Sequence, residues 1–279
     1  MIDFKGIISR SNLYNFHSHT QFCDGRAPME DFVVQAINEG FTDYGFSPHS
    51  PVPFESSCNM TATGALEYVA EFHRLSEKYG ERINLYMSME IDYINRQWGA
   101  TNPYFDSFPL DYRISAVHFL PAFTDPSLHI DIDGKFESFK TKMHAYFNDD
   151  IEGVVRSFYA HSIEMIELGG FDVIGHFDKI GHNAGHFREG IEDEPWYAGL
   201  VNETFDAIMD HHLIIEVNTK ALAEHRRTFP DSRFYHLLRR YKAPLLINSD
   251  VHYTHLINAG RMETMAALSK MGLYTPAPG

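Results

Sequence analysis

Seven short apolar runs, separated by helical patterns, set the limits on what this chain can fold into. They lie around Phe16 and over 41–47, 83–91, 113–120, 171–175, 213–218 and 244–249. Between them Met29, Phe32, Val33, Ala36 and Ile37 recur at helical spacing, as do Leu66, Val69, Ala70, Phe72, Leu75 and Tyr79. Ile151, Val154, Val155, Phe158, Met165 and Ile166 mark a longer helix, and Gly40, Gly80 and Gly169-Gly170 supply stops. Further helices are expected near 196–211, 234–241 and 259–271, while 128–134 reads as a strand and turn before a short helix. Strands alternating with helices imply parallel pairing through right-handed crossovers, hence a barrel or a doubly wound sheet.

The polar residues choose between the two. His17, His49, Glu90, His118, His176, Asn218 and Asp250 each stand at the C-terminal end of one of the runs. A closed barrel gathers those ends on one face, where barrel enzymes keep their active sites, whereas an open sheet spreads them apart. The expectation is an α/β fold, a (β/α) barrel of about seven strands, occupying residues 1–279 as one domain. No Pro/Gly/Ser-rich linker, low-complexity tract or repeat divides it.

The opening Phe16-His17-Ser18-His19 gives the chemistry. Residues two apart on a strand share a face, so His17 and His19 can offer two imidazoles to one metal ion. With Asp24, His49, Glu90, His118, His176, Asp250 and His252 they form a nitrogen- and carboxylate-rich set suited to zinc, manganese or iron in a catalytic site. Nine ligands are too many for one ion, so two or three divalent ions are expected, with Glu90 and Asp250 as bridges across roughly 3.5–4 Å. Such a cluster acidifies bound water and neutralises phosphoryl oxygens.

Composition narrows the partners. A formal net charge of −15 argues against nucleic acid and anionic membranes, yet leaves room for a small phosphorylated substrate drawn in by bound ions. Two cysteines, Cys23 and Cys58, build no disulfide framework. The N-terminus carries no basic segment before an apolar run, and no run is long enough to span a bilayer, so a cytoplasmic protein without a membrane partner is expected. The sequence leaves the oligomeric state open.

The ordered set resembles the polymerase and histidinol phosphatase (PHP) superfamily of metal-dependent phosphoesterases. Phe-His-Ser-His-Thr-x-Phe-Cys-Asp-Gly, Gly-Phe-Ser-Pro-His-Ser, Glu-Ile-Asp-Tyr and Gly-His-Phe-Asp look like its histidinol-phosphatase branch. The resemblance implies a distorted seven-stranded barrel with a trinuclear site, and hydrolysis of L-histidinol phosphate to L-histidinol and phosphate in histidine biosynthesis. It places His17, His19, Glu90 and Asp250 around one ion, with Glu90 shared with a second held by His118 and His176. Asp24, His49 and His252 would hold the third, although Asp24 stands where some relatives carry histidine. Glu90, Asp250 and His252 are the catalytic candidates.

Two residues are candidates for substrate contacts. Asp92, two along the strand from Glu90, would receive a cationic part of the substrate, and Arg156, on a long helix, would clamp phosphate. His161, His182, His186 and His211 fit no strand-end pattern and read as surface or supporting residues. Ser18 and Cys23 lack a base at a recognisable spacing, which disfavours covalent catalysis. The alternatives are a PHP-type esterase for another small phosphate ester, an amidohydrolase-like C–N hydrolase, which would carry a metal-bridging lysine mid-barrel, and a non-catalytic PHP module, which would have lost ligands.

Overall fold

The computed structural model describes residues 2–242, 244–275 and 277. Its strands are β1 (Tyr14–Asn15), β2 (Asp43–Phe46), β3 (Asn84–Met87), β4 (Glu90–Asp92) and β5 (Ile114–Ala116), then β6 (Phe119–Pro121), β7 (His129–Asp131), β8 (Val173–Ile174), β9 (Ile214–Asn218) and β10 (Leu245–Asn248). Parallel ladders run β1-β2-β3 in one sheet and β10-β9-β8-β5-β4 in another. Single-residue parallel bridges, Ser18 to Val251 and His49 to Glu90, join the two sheets at both seams. The result is a distorted barrel with seven strand positions, β3 and β4 sharing one.

Both departures from regularity have visible causes. The run read as one strand over 83–91 breaks at Ser88-Met89, where the Tyr68 hydroxyl donates to the Ser88 carbonyl at 2.8 Å. β3 therefore pairs with β2, and β4 pairs with β5. The run over 113–120 likewise splits: β5 stays in the barrel, and β6 leaves it to form an antiparallel hairpin with β7. His118 sits at that exit, its carbonyl accepting from the Ile132 N–H.

Helices follow from caps and stripes. α1 (Phe4–Arg10) precedes β1, and α2 (Met29–Asn38) carries Glu30 and Asp31 in its first turn, where acidic side chains favour the helix dipole. α3 (Ala62–Tyr79) is capped by Thr61 and α5 (Ile151–Leu168) by Asp150, each accepting from the N–H three residues on. α4 (Phe136–Tyr146), α6 (Ile180–Phe187), α7 (Pro195–Asp210), α8 (Leu222–His225), α9 (Tyr235–Leu238) and α10 (Arg261–Lys270) complete the set. Sequence periodicity did not reveal α1 or α6, because each is short and α6 contains Gly181 and Gly185. One contiguous core runs from Phe4 to Tyr274. Among the described residues, no helix is long and apolar enough to cross a membrane.

Candidate metal centre

The seven strand ends converge as a barrel requires. His17 and His19 follow β1, His49 follows β2 and His118 follows β5, while Glu90, expected at a strand's end, instead opens β4 just past the break after β3. His176 follows β8, Asn218 ends β9, and Asp250 and His252 follow β10. Asp250 (φ 47°) and His176 (φ 20°) have left-handed backbones, an unfavourable conformation for non-glycine residues that tends to cluster at functional sites. Asp24 reaches the group from a tight loop. A side chain at Gly25 would strike the Thr20 backbone nitrogen at 2.3 Å, so that turn requires glycine.

Glu90 is the hub. Its Oε2 lies 3.2 Å from His17 Nε2, 3.5 Å from His19 Nε2 and 3.2 Å from His49 Nδ1. Its Oε1 lies 2.8 Å from His176 Nε2 and 3.5 Å from His118 Nε2. Asp250 Oδ1 is 3.1 Å from His19 Nε2 and 3.8 Å from His17 Nε2. Asp24 meets His252 Nε2 at 3.2 Å and His19 Nδ1 at 3.5 Å. Four groups with metal-ligand spacing result: His17, His19 and Asp250; His17, Glu90 and His176; His19, Asp24, His49 and His252; and His49, Asp92 and His118.

These atoms fit a cation better than they fit one another. His17 Nε2, His19 Nε2, His49 Nδ1 and Asp24 Oδ1 are buried without a hydrogen-bond partner, an expensive state that a bound cation would relieve. Burial pushes the carboxyls of Glu90, Asp250 and Asp24 up, yet the surrounding cations outweigh it. Glu90 is held down by His17, His118 and His49, Asp250 by Lys220 and His17, and Asp24 by His252, His49 and His19. All three remain ionised and available.

A supporting layer fixes the rings. Glu216 accepts from His17 Nδ1 at 2.7 Å, and its two oxygens also take N–H groups of Asn248, Asn218 and the His176 backbone. Asn218 donates to Asp250 as well, at 3.1 Å. Neither the charge of Glu216 nor that of Asp92 is exposed at all. Carboxylates holding the far nitrogen of a ligating histidine fix its tautomer and orientation.

Asp92 belongs to this layer, which corrects its reading as a receiver of a cationic substrate group. Its Oδ1 takes His118 Nδ1 at 2.6 Å and its Oδ2 takes the Asn59 side chain at 2.6 Å, so neither oxygen is free. Arg156 requires correction too. It lies on the outside of α5, paired with Glu152 at 2.8 Å and stacked 4.6 Å over Trp196. The cations at the centre are lysines that sequence reasoning passed over. Lys220 stands 3.3 Å from Asp250 Oδ1 and 3.3 Å from His252 Nε2, and Lys179, paired with Asp133 at 2.6 Å, lines the same cleft. Burial pulls the Lys179 ammonium down, but Asp133, Asp250 and Glu90 outweigh it and keep it charged.

Glu216 had a signal in the sequence: a lone acid in the apolar run Leu-Ile-Ile-Glu-Val-Asn, sharing a strand face with Asn218. The lysines had none, since a loop lysine is ordinarily a solvated one. The cleft they border, about 650 Å³, runs outward from Asp24, His49, His118 and His252. His182 and His186 line its outer part, a cleft wall where the sequence suggested surface or support. His161 is half-buried on α5, its Nδ1 2.8 Å from the Ser157 carbonyl of the same helix.

With this geometry in place, comparison with known proteins identifies the family. The PHP domain family matches residues 15–220. The chain belongs to the PHP family. β10, Asp250 and His252 lie beyond the matched stretch but complete the same site. The chain is 25% identical to the "probable histidinol-phosphatase" of Schizosaccharomyces pombe, covering 92% of this chain and 86% of that one. It is 24% identical to a protein of the same description from Deinococcus radiodurans, covering 87% of each. Among solved structures it is similar to the histidinol phosphate phosphatase of Lactococcus lactis complexed with zinc, L-histidinol and phosphate. That match has a TM-score of 0.70 and 19% identity, and covers 95% of each chain. A candidate histidinol phosphatase from Listeria monocytogenes superposes with a TM-score of 0.75 at 18% identity, over 90% of this chain and 99% of that one.

Proposed function

We propose that this PHP protein is a metal-dependent phosphatase that hydrolyses L-histidinol phosphate to L-histidinol and phosphate. The observation that carries the reading is the buried, unspent set of imidazole nitrogens and carboxylate oxygens around Glu90, opening onto a cleft bordered by Lys179 and Lys220. The naming of the curated relatives, and the zinc, L-histidinol and phosphate in the Lactococcus structure, support the choice of substrate. We take residues 1–279 as one catalytic domain, in keeping with the contiguous core.

His17, His19, Glu90 and Asp250 would hold one ion, Glu90 with His118 and His176 a second, and Asp24, His49 and His252 a third, zinc being favoured and manganese or iron compatible with the same ligands. Divalent ions bound there supply Lewis-acid neutralisation of phosphoryl charge and an acidified water. Lys220 and Lys179 add fixed positive charge where the phosphate's oxygens would lie. Glu216 and Asp92 keep the His17 and His118 rings from turning. Attack by water on phosphorus fits the residues present. Burial, then the Asp24 charge, pushes the Cys23 thiol up to about 12, and the Ser18 hydroxyl donates to the Gly45 carbonyl at 2.9 Å. The C–N hydrolase alternative lacks its lysine, since Glu90 and His118 stand at the mid-barrel ends.

The test is a phosphate-release screen over monoesters with metal-stripped and zinc-reconstituted protein. Release from L-histidinol phosphate that depends on added metal supports the reading. Equal release without metal, or none from this ester, overturns it.

A further inference from the structure

The cleft, about 650 Å³, is far larger than a phosphate group requires, and its outer end has a composition of its own. His182 and His186 are one turn apart on α6, and His225 closes α8 opposite them. Ring centroids lie 4.7 Å apart for His182 and His186 and 4.4 Å apart for His182 and His225. Phe136 packs 5.5 Å from His186, and Phe229 stands edge-on to His182 at 6.5 Å. All five side chains line the cleft that begins at the metal centre.

The hydrogen bonding of this group is incomplete. His186 Nδ1 is 2.7 Å from the His182 carbonyl, which can only accept, so Nδ1 carries a proton and donates it there, and Nε2 has no partner among the described residues. The His182 ring, half-buried against the other two, makes no hydrogen bond with any described residue. Burial, then the neighbouring His225 and His186, push it down to about 4, which keeps it neutral. The unpartnered His182 ring and the His186 Nε2, walled by aromatic faces and with Glu224 beside His225, suit a ligand bearing N–H groups and positive charge.

We infer that the outer end of the cleft, centred on His182 and His186, receives the nitrogen-bearing cationic tail of the phosphate ester and sets the preference for it. This rests on the substrate reading above and extends it. The phosphate lies inward at the lysines and metal ligands. The amine and imidazole of the tail then face acceptors on α6, beyond the reach of Asp92, whose oxygens are occupied. These histidines would be specificity residues with no part in bond breaking.

The test compares kcat/KM for L-histidinol phosphate with that for ethyl phosphate, which has no tail, in zinc-loaded wild type, His182→Ala and His186→Ala. His182→Gln serves as a milder variant should the alanine fail to fold. The ratio of the two kcat/KM values is expected to fall about tenfold to a hundredfold, the scale of a lost hydrogen bond to a charged group, mainly through KM for L-histidinol phosphate. Inhibition by free L-histidinol should weaken by a similar factor. A wild type that prefers L-histidinol phosphate, with variants that retain the full preference or lose both substrates in parallel, overturns the tail subsite alone. A wild type that turns over both esters equally overturns the substrate reading and the subsite with it.

Discussion

Glu216→Gln isolates the supporting layer. The side chain keeps its shape but loses its charge, and with it the charge-assisted bond to His17 Nδ1 at 2.7 Å. Charge-assisted bonds contribute about 1.5–3 kcal/mol against about 0.5–1.5 for neutral ones, so the loss is about 1–1.5 kcal/mol, or roughly tenfold in affinity. A second cost follows from the donor count. Both Glu216 oxygens accept, one from His17 and Asn248 and the other from Asn218 and the His176 backbone. A glutamine NH₂ must face one of those donor pairs, leaving buried donors unpaired at about 1–3 kcal/mol. Zinc affinity, measured by competition with a chromophoric chelator, should therefore fall about tenfold to a hundredfold, in line with other outer partners of metal-bound histidines. Tm should fall as well, and saturating zinc should restore much of the activity. A lowered Tm with unchanged zinc affinity would refute the orienting role and leave Glu216 a packing residue.

Other expectations can be checked separately. Lys220→Ala should lower kcat/KM for every phosphate ester about tenfold to a hundredfold, whereas Arg156→Ala, on the outer face of α5, should stay within about twofold in the same steady-state assay. Metal uptake should depend on pH through His118. Burial pulls that imidazole down, but Glu90 and Asp92 outweigh it and push it up to about 9, so in metal-free protein at neutral pH it carries a proton that a metal must displace. Zinc affinity should thus rise as pH is raised towards 9, by up to about tenfold per unit for each proton released, and calorimetry in buffers of different ionisation enthalpy should count those protons. A phosphate ester chiral at phosphorus should be hydrolysed with net inversion; net retention would point to a covalent intermediate.

The sequence made the barrel legible because its signal is periodic. Each apolar run is bounded by a helix stripe, and the metal-type residues recur at the same end of each run, so the seven positions and the nine clustered side chains were both visible. What escaped is what depends on three-dimensional neighbours. The break at Ser88-Met89 is made by a tyrosine hydroxyl from α3, and the exit at His118 by a hairpin whose two strands are only three residues each. Asp92 looked like a substrate contact because spacing puts it on Glu90's face. Spacing says nothing of His118 and Asn59, which occupy its oxygens. Arg156 was singled out for its chemistry alone, and the chain turns it away from the site.

On the proposed reading Glu90 would divide its two oxygens between two metal ions, Oε2 facing His17 and His19 and Oε1 facing His118 and His176. Anomalous diffraction from crystals of zinc-loaded protein tests it most directly. Peaks are expected on both sides of the Glu90 carboxylate, roughly 3.5–4 Å apart, one by His17 and His19 and one by His118 and His176. A single peak, or peaks elsewhere with Glu90 unengaged, would contradict it.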